Sequence, residues 1–490
     1  MTVTTSWYWC KFKRFHVSWL FAWTAIGVLI GTVAALFVPV HIFSQLPWLF
    51  GALSLGFIAC FRRSIVSILL ITLCGVGVGI YVGSTTLVEL GHLRALHGTA
   101  QTISGTVRDD TTRGPSGDQR LRLDNLTIDE QPVSGNLWVS AYTSLEIKRS
   151  DRVTVNGHMD EGFGTVQASM FRASVEEVVR PEPGDIARVA RDNFSSEVAK
   201  HMSSPQSNLG VSFLVGQRSS LPSDIQDMFR DLGLVHLVVA SGFHLSIVVR
   251  FSRRSFSPWS KYLALISSLL LIFSFLLLTG FSTSMVRASL VTSLSLLAWY
   301  VGRAIHPLVL LPVVAATTVI INPVYIWSDL AWHLSFAAFT GVIVLAPLLQ
   351  KYFWRPDKDP GFFRYLVVAT FSAQLLTFPI IALTFEQYSL LAIAANVLVL
   401  PLVPLVMLGT FTTGVSAFFM PFLAHAFGWI TEMGLRYITA VVDFLAGLPI
   451  ATSSITITPL QIGLYYVVMF TLMVYLQRTT KHSLRSENPV

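Results

Sequence analysis

The chain has 490 residues, 53% hydrophobic and only 12% charged, with a mean hydropathy of +0.61. Soluble chains carry about 25% charged residues, whereas several runs here reach the length of about 20 apolar residues that crosses a bilayer. A large soluble core is excluded, and a polytopic membrane protein is expected. The formal charge of +7 is read by location. Lys11, Lys13 and Arg14 precede the first apolar run. Arg62, Arg63, Arg253, Arg254, Arg303, Lys351, Arg355 and Lys358 fall in later short loops, and Lys481 and Arg485 lie in the tail. Cytoplasmic loops gather Lys and Arg, so the charge reports topology before it argues for nucleic acid. Cys10, Cys60 and Cys74 lie in or beside apolar segments without a CxxC pair. Neither a structural disulfide nor a cysteine-built zinc site is expected.

In chain order, the basic start and the run Ser18–Val40 read as a retained first helix, too long for a signal peptide. Spans are expected at 18–40, 46–61 and 64–88, which place 89–209 outside if the N-terminus is cytoplasmic. Within 101–180 short alternating runs such as "QRLRLDNLTI", "GNLWVSAY" and "DRVTVNGHM" are separated by Gly, Asp and Pro. They predict about five strands in a small β-barrel or sandwich. A period of two puts Trp138, Ser140 and Tyr142 on one strand face, with Leu137, Val139 and Ala141 on the other. From 184 to 233 the pattern becomes helical, broken at Pro205 and Pro222, with Ser223 as a cap. Spans return near 234–250, 259–280, 288–303, 307–322, 331–349, 365–384, 389–414, 415–430 and 457–477, with 431–450 flat on the outer interface. This parity gathers Arg253, Arg303, Lys351 and the tail on one side, so both termini are expected to be cytoplasmic. The expected order is membrane helices 1–88, β domain 89–183, amphipathic helices 184–233, a second membrane domain 234–477 and a tail 478–490.

Ionisable side chains at membrane depth cost about 2.5–3.5 kcal/mol on insertion scales and usually face a cavity or a partner. His236, His244, Arg287, Asp329, His333 and Glu386 fall in or beside the expected spans. If 234–250 is one helix, His236, His244 and Ser241 sit at about 0°, 80° and 140° on its wheel and share a face. Gly242 beside Ser241 lets another backbone approach. The plainest reading is that these groups hydrogen-bond neighbouring helices and fix packing. Two further readings are a metal site and a Ser241–His244 nucleophile and base. The histidines lack the i, i+4 spacing of helical zinc sites, and no GxSxG turn is present.

The stretch "FLVGQRSSLPSDIQDMFRDLGLVHLVVASGFHLSIVV" resembles the signature of the ComEC competence family through Gly216, Gly233, His236, Ser241, Gly242 and His244. "TGFSTSMVRASL" is similar to a second segment of that family through Gly280, Arg287 and Ala288. "NPVYIWSDLAWHLSFAAF" resembles a third through Asn322, Pro323, Asp329, Leu334, Ser335 and Phe336, with Trp332-His333 in place of the usual Phe-Gln. "FEQYSLLAIAANVLVLPLVP" resembles a fourth through Phe385, Asn396 and Pro401. The four segments occur in the family's order, behind three spans and an external β domain, and the resemblance runs over about residues 30–450.

The resemblance implies a polytopic α-helical membrane protein with an inserted extracytoplasmic small β-barrel (OB-like) domain. It implies a bacterial cytoplasmic-membrane channel that admits single-stranded DNA during natural transformation. His236, Ser241, Gly242, His244, Arg287, Asp329, Ser335 and Asn396 would line the strand's path, with an Arg287–Asp329 ion pair that phosphate competes against. In the β domain Trp138 and Tyr142 either pack against loops or the membrane surface, the plainer reading, or stack on bases, beside Arg120 and Arg122 in a basic strip with Arg108, Arg149 and Arg152. Yet residues 101–183 hold nine Arg/Lys against thirteen Asp/Glu, a balance that disfavours tight non-specific DNA binding by the whole domain. Many family members carry a C-terminal metallo-β-lactamase-like domain. Here only "RTTKHSLRSENPV" follows Gln477, without an HxHxDH motif. No nuclease activity, catalytic metal or cofactor is therefore expected. The expected partners are single-stranded DNA, membrane lipids, separate receptor, motor and nuclease proteins, and a second copy of the chain. The alternatives are a transporter of a small solute or lipid-linked substrate, since Pro-broken spans occur at transporter sites, and a membrane scaffold.

Overall fold

The computed structural model of the protein describes residues 16–60, 65–114, 116–182, 184–217, 221–303, 306–354, 361–449 and 452–481. Cys10 and the cations Lys11, Lys13, Arg14, Arg62, Arg63, Arg355, Lys358 and Arg485 lie outside the described residues. Among the described residues six helices are long and apolar enough to cross a membrane: Val17–Phe37, Val66–Arg94, Lys261–Leu278, Leu330–Phe353, Phe363–Phe385 and Pro459–Thr480. The pair Ala392–Val399 and Val403–Phe419, bent by 47°, makes a seventh if taken as one broken span. Leu46–Ala59 and Pro307–Ile321 are apolar but shorter. The protein is a multi-pass helical membrane protein that carries a small closed β-barrel. Its chain divides into two compact units, Met1–Gly184 with Ile305–Trp332, and Asp185–Ala304 with His333–Val490.

In the first unit, α1 (Val17–Ala34), α2 (Leu46–Cys60) and α3 (Ile65–Arg94) precede the barrel. Lipid is as apolar as leucine, so membrane helices associate through close packing rather than through the hydrophobic effect. α1 and α3 achieve this with glycine. A Cβ added to Gly27 or Gly31 on α1, or to Gly75 or Gly79 on α3, would collide with a backbone carbonyl of the opposite helix. Trp327 closes the group by donating its indole N–H to the Thr32 carbonyl at 2.9 Å.

The barrel strands are β1 (Ala100–Val107), β2 (Gln119–Ile128), β3 (Leu137–Ala141), β4 (Arg152–Glu161) and β5 (Ala168–Val179). β1 pairs antiparallel with β2 and β4, β2 with β3 and β4 with β5, while β3 runs parallel to β5. The circuit β1-β2-β3-β5-β4 closes on itself, the arrangement of the OB type, and removes exposed sheet edges. Leu137, Val139 and Ala141 are fully buried while Tyr142 is 59% exposed, as the period of two requires. Leu93, at the end of α3, is fully buried within the same core, with Leu96 packed against it. The third membrane helix thus supplies part of the barrel's interior.

The second unit begins with α4 (Ile186–His201), α5 (Gln206–Val215) and α6 (Ser223–Asp231). Pro205 and Pro222 stand at the N-caps of α5 and α6, so Ser223, expected as a cap, is instead the first helical residue. Then come α7 (Gly242–Phe256), α8 (Lys261–Leu278), α9 (Thr283–Tyr300) and α10 (Leu330–Phe353), the last with a π turn at Gly341–Leu345. The set ends with α11 (Phe362–Phe385), α12 (Ala392–Val399), α13 (Val403–Phe419), α14 (Pro421–Ala446) and α15 (Pro459–Thr480). The expected span 415–430 and flat segment 431–450 are replaced by one 26-residue helix, α14. Met420 leaves helical geometry at φ −144, ψ 75, and Pro421 opens a new first turn, where its missing N–H costs nothing.

Within α11, Pro379 has no N–H to give the Leu375 carbonyl, and lipid offers no replacement donor. Tyr465 and Tyr466 of α15 donate their hydroxyls to the Leu375 and Leu376 carbonyls, at 2.9 and 2.8 Å. The kinked helix is thereby fastened to its neighbour.

Candidate functional site

The stretch 232–244 is not the continuous helix its apolar character suggests. α6 closes in a Schellman turn, with the Gly233 N–H on the Arg230 carbonyl at 2.9 Å and the Leu234 N–H on the Phe229 carbonyl at 2.7 Å. Gly233 holds φ +67, which a residue with a Cβ takes up only at a cost. One turn, Val235–Val238, follows before Val239 becomes extended. Ser241 then caps α7 at φ −129, ψ 167. His236 and His244 therefore stand on either side of a break, and the shared helical face expected for His236, Ser241 and His244 does not exist. Ser-Gly favours a cap over helix continuation because the serine oxygen competes for backbone donors.

His244 is the third residue of α7, the position where Glu or Gln usually completes a capping box. Its Nδ1 accepts the Ser241 N–H at 3.2 Å, which places the ring proton of the neutral imidazole on Nε2. Nε2 is buried and has no hydrogen-bond partner among the described residues. The ring is fully buried and stacks on Phe213 with centroids 6.4 Å apart. Ser241 Oγ lies 3.3 Å from the same Nδ1, but that lone pair already holds the backbone N–H. This geometry disfavours a serine nucleophile activated by His244. Among the described residues no group of three or more His, Cys, Asp or Glu could hold a metal ion.

Other members of the expected set gather around this turn. A Cβ on Gly242 would stand 3.0 Å from Ala288 Cβ and 3.7 Å from the Phe339 ring. The start of α7 is thus pressed against α9, next to Arg287, and against α10. Arg287 is 1% exposed and is the largest of the fully buried side chains. On the same helix the Ser289 and Ser295 hydroxyls, and Ser282 just before it, are buried without a hydrogen-bond partner among the described residues. Ser335 is half-buried on α10, one turn before Phe339. Ala392 of α12 approaches Gly233, and one turn further Asn396, 3% exposed, donates Nδ2–H to the Ala392 carbonyl at 2.8 Å. His236 bonds the Gly233 carbonyl through Nδ1 at 3.1 Å, and its ring is exposed between the buried Leu234 and Leu237. Asp329 falls in the first compact unit, as do the first three residues of α10, and its carboxylate accepts the Ala331 N–H at 2.9 Å and caps that helix. The hydroxyl row on α9 and the stacking by Phe213 were not anticipated. Serines and a phenylalanine in apolar helices carry no signal of their own.

The barrel presents a second cluster. Trp138 on β3 packs against Phe171 and Phe163, with ring centroids at 5.2 and 5.4 Å, and both phenylalanines are more than half exposed. Arg120 lies 6.0 Å from the Trp138 ring centroid, and Arg122 is its cross-strand neighbour. The expected basic strip is neutralised in part. Asp118 pairs with Arg120 at 3.1 Å and takes the Ser140 hydroxyl at 2.7 Å. The Ser140 and Arg120 hydrogen bonds hold this carboxyl below the usual carboxylate range. Arg108 pairs with Asp124 at 3.0 Å, and Arg149 is buried. Nothing in the sequence singles out Phe163 and Phe171, because the first comes from a loop and the second from β5, which only the closed barrel brings beside Trp138 on β3.

Known proteins resemble this chain over part of its length. The family described as "Competence protein" matches residues 213–479, more than half of the chain. ComE operon protein 3 of Bacillus subtilis (strain 168) is 24% identical over 248 residues, which cover 49% of this chain and 31% of that protein. The match thus spans about a third of that relative's length. No solved structure matches. The residues of the broken turn, α9, α10 and α12 all fall inside the matched range, and the chain belongs to the competence protein family.

Proposed function

We propose that this protein passes one strand of DNA across the cytoplasmic membrane of a bacterium during natural transformation. The strand runs past the turn 233–244, flanked by His236, Ser241, Gly242, His244, Arg287, Ser335 and Asn396, with Asp329 a further charged group at the head of α10. The carrying observation is the concentration of buried polar groups at one helix break: the unpartnered His244 Nε2, the α9 hydroxyls and the buried Arg287. Burying such groups without a purpose is costly, and a translocated polyanion needs donors and positive charge along its route. The barrel meets the strand outside through Trp138 and Tyr142, by stacking worth about 1–3 kcal/mol per base, with Arg120 and Arg122 alongside. Its pairing of arginines with carboxylates favours contact with bases over contact with phosphates.

The protein acts as a conduit rather than an enzyme in this reading. It works with a surface DNA receptor, a cytoplasmic motor and a nuclease on other chains, as a single chain or a homo-oligomer, and both termini are cytoplasmic. The broken pair α12–α13 favours a second reading, a transporter of a small solute or lipid-linked substrate, because such breaks form transporter sites. A deletion strain separates the two. Loss of recombinants with surface DNA binding intact supports the DNA conduit, while normal transformation removes it.

A further inference from the structure

We infer that the joined ends of α7, α8 and α9 form a binding site for the headgroup of an anionic phospholipid. Arg250, Arg253 and Arg254 lie in the last turns of α7, Lys261 opens α8, and Arg303 stands three residues after α9. The tight link Ser257–Ser260 holds α7 against α8, and the Arg253 guanidinium lies 5.2 Å from the ring centroid of Trp299 near the end of α9. The five cations therefore share one end of one three-helix group. Arg250, Arg254, Lys261 and Arg303 are exposed. Arg253 is half-buried, and its Nη1 has no hydrogen-bond partner among the described residues. None of the five forms an ion pair among the described residues, and the sequence has no Asp or Glu between Asp231 and Asp329.

Five like charges without a carboxylate repel one another unless an anion joins them. Their depth identifies the anion. α8 is apolar enough to cross a membrane from its first residue, Lys261, so the cluster sits at the boundary where headgroup phosphates lie. Around it Trp259 is 80% exposed, Phe251 64% and Tyr262 61%, the aromatic belt of a membrane interface. A strand on an interior route gains nothing from aromatic rings turned outward, whereas a lipid brings both a phosphate and acyl chains. A general bias of positive charge toward the cytoplasm needs only the number of cations. It gives no reason to hold Arg253 beneath an indole with a donor unspent. This site stands independently of the DNA reading.

The full-length protein in neutral detergent micelles tests it. Phosphatidylglycerol should raise the thermal unfolding midpoint in a saturable way, and phosphatidylcholine should not. In the triple variant R250Q/R254Q/K261Q the phosphatidylglycerol concentration at half-effect should rise about a hundredfold, taking about fivefold for each cation near a membrane surface. The double variant R250K/R254K should keep the preference and serves as the folding control. Equal shifts from the two lipids would overturn the proposal, as would a triple variant with an unchanged half-effect concentration. An oligothymidylate added to the same samples supplies the remaining arm. A triple variant that keeps its lipid preference but loses oligonucleotide binding would reassign these cations to the departing strand.

Discussion

The β3 strand and the turn at 233–244 carry comparable chemistry in opposite settings. On β3 the alternation of Leu137, Trp138, Val139, Ser140 and Ala141 fixes which side chains enter the core: Leu137, Val139 and Ala141 do, while Ser140 on the other face is buried through its bond to Asp118. In the turn nearly every residue is apolar, so no periodicity distinguishes one helix from two pieces separated by an extended residue. The break is written in small features: a glycine at φ +67, a serine able to cap, and a histidine three residues later that accepts the cap's N–H. A strand announces its faces through contrast. A membrane segment has lost that contrast, and only its terminators remain informative.

The largest effect that sharpens this comparison comes from neighbouring residues on β3. Val139→Asp buries a carboxylate in the barrel core and should cost several kcal/mol, enough to unfold the domain. The loss should appear as protease sensitivity of 100–180 while the membrane helices persist. Trp138→Ala, one residue away on the outer face, should leave the barrel folded. It should weaken binding of a short single strand by about 5- to 150-fold, the equivalent of about 1–3 kcal/mol of stacking. The weakening should change little with salt because Arg120 and Arg108 are already paired. A steep salt dependence would show that free phosphate contacts dominate.

At the turn, Gly242→Val drives a branched side chain against Ala288 and should cost about 1–3 kcal/mol by overpacking, measured as a lower unfolding midpoint. His244→Gln separates structure from transport. Glutamine at the third helical position still accepts the Ser241 N–H, so the stability should stay within about 1 kcal/mol of the parent. Transformation should nevertheless fall at least tenfold. A parental rate would make His244 a cap and nothing more.

The smallest effect concerns pH. His201, at the end of α4, meets His425 of α14 with their Nδ1 atoms 2.7 Å apart, and the Ser203 N–H bonds Glu432 at 3.1 Å. Glu197 and Lys200 on α4 and Arg436 on α14 complete the charged surroundings. Burial, followed by the charge of His425, pushes the His201 value below that of a free histidine. The docked contact therefore binds fewer protons than the separated helices. It is strongest above the ordinary histidine range and weakens as pH falls through that range. The protection of the Ser203 amide from hydrogen exchange, relative to an unstructured amide at the same pH, should fall over this window, and His425→Gln should flatten the response.

Much of the fold is legible. The barrel follows from alternation, the first three helices from apolar runs, and the broken pair at 392–419 from Pro401. The turn was misread as a helix, and Met420 concealed a boundary because an apolar residue can leave helical geometry without changing the composition around it. Of the candidate site, Gly233, Ser241, His244 and Arg287 were singled out, but the reason for their company was not. Gly242 meets Ala288 and Phe339 across more than forty residues of sequence in each case, and no local pattern encodes that meeting. Phe163 and Phe171 join Trp138 for the same kind of reason.

The most direct test places a photo-crosslinking aromatic residue at Phe339, whose ring faces Gly242, in cells taking up labelled DNA. A strand path through the turn predicts a DNA adduct at Phe339 that appears only during uptake. The same label at Leu271, on an exposed stretch of α8, should give none. Adducts at Leu271 with none at Phe339, while transformation proceeds normally, would contradict the path.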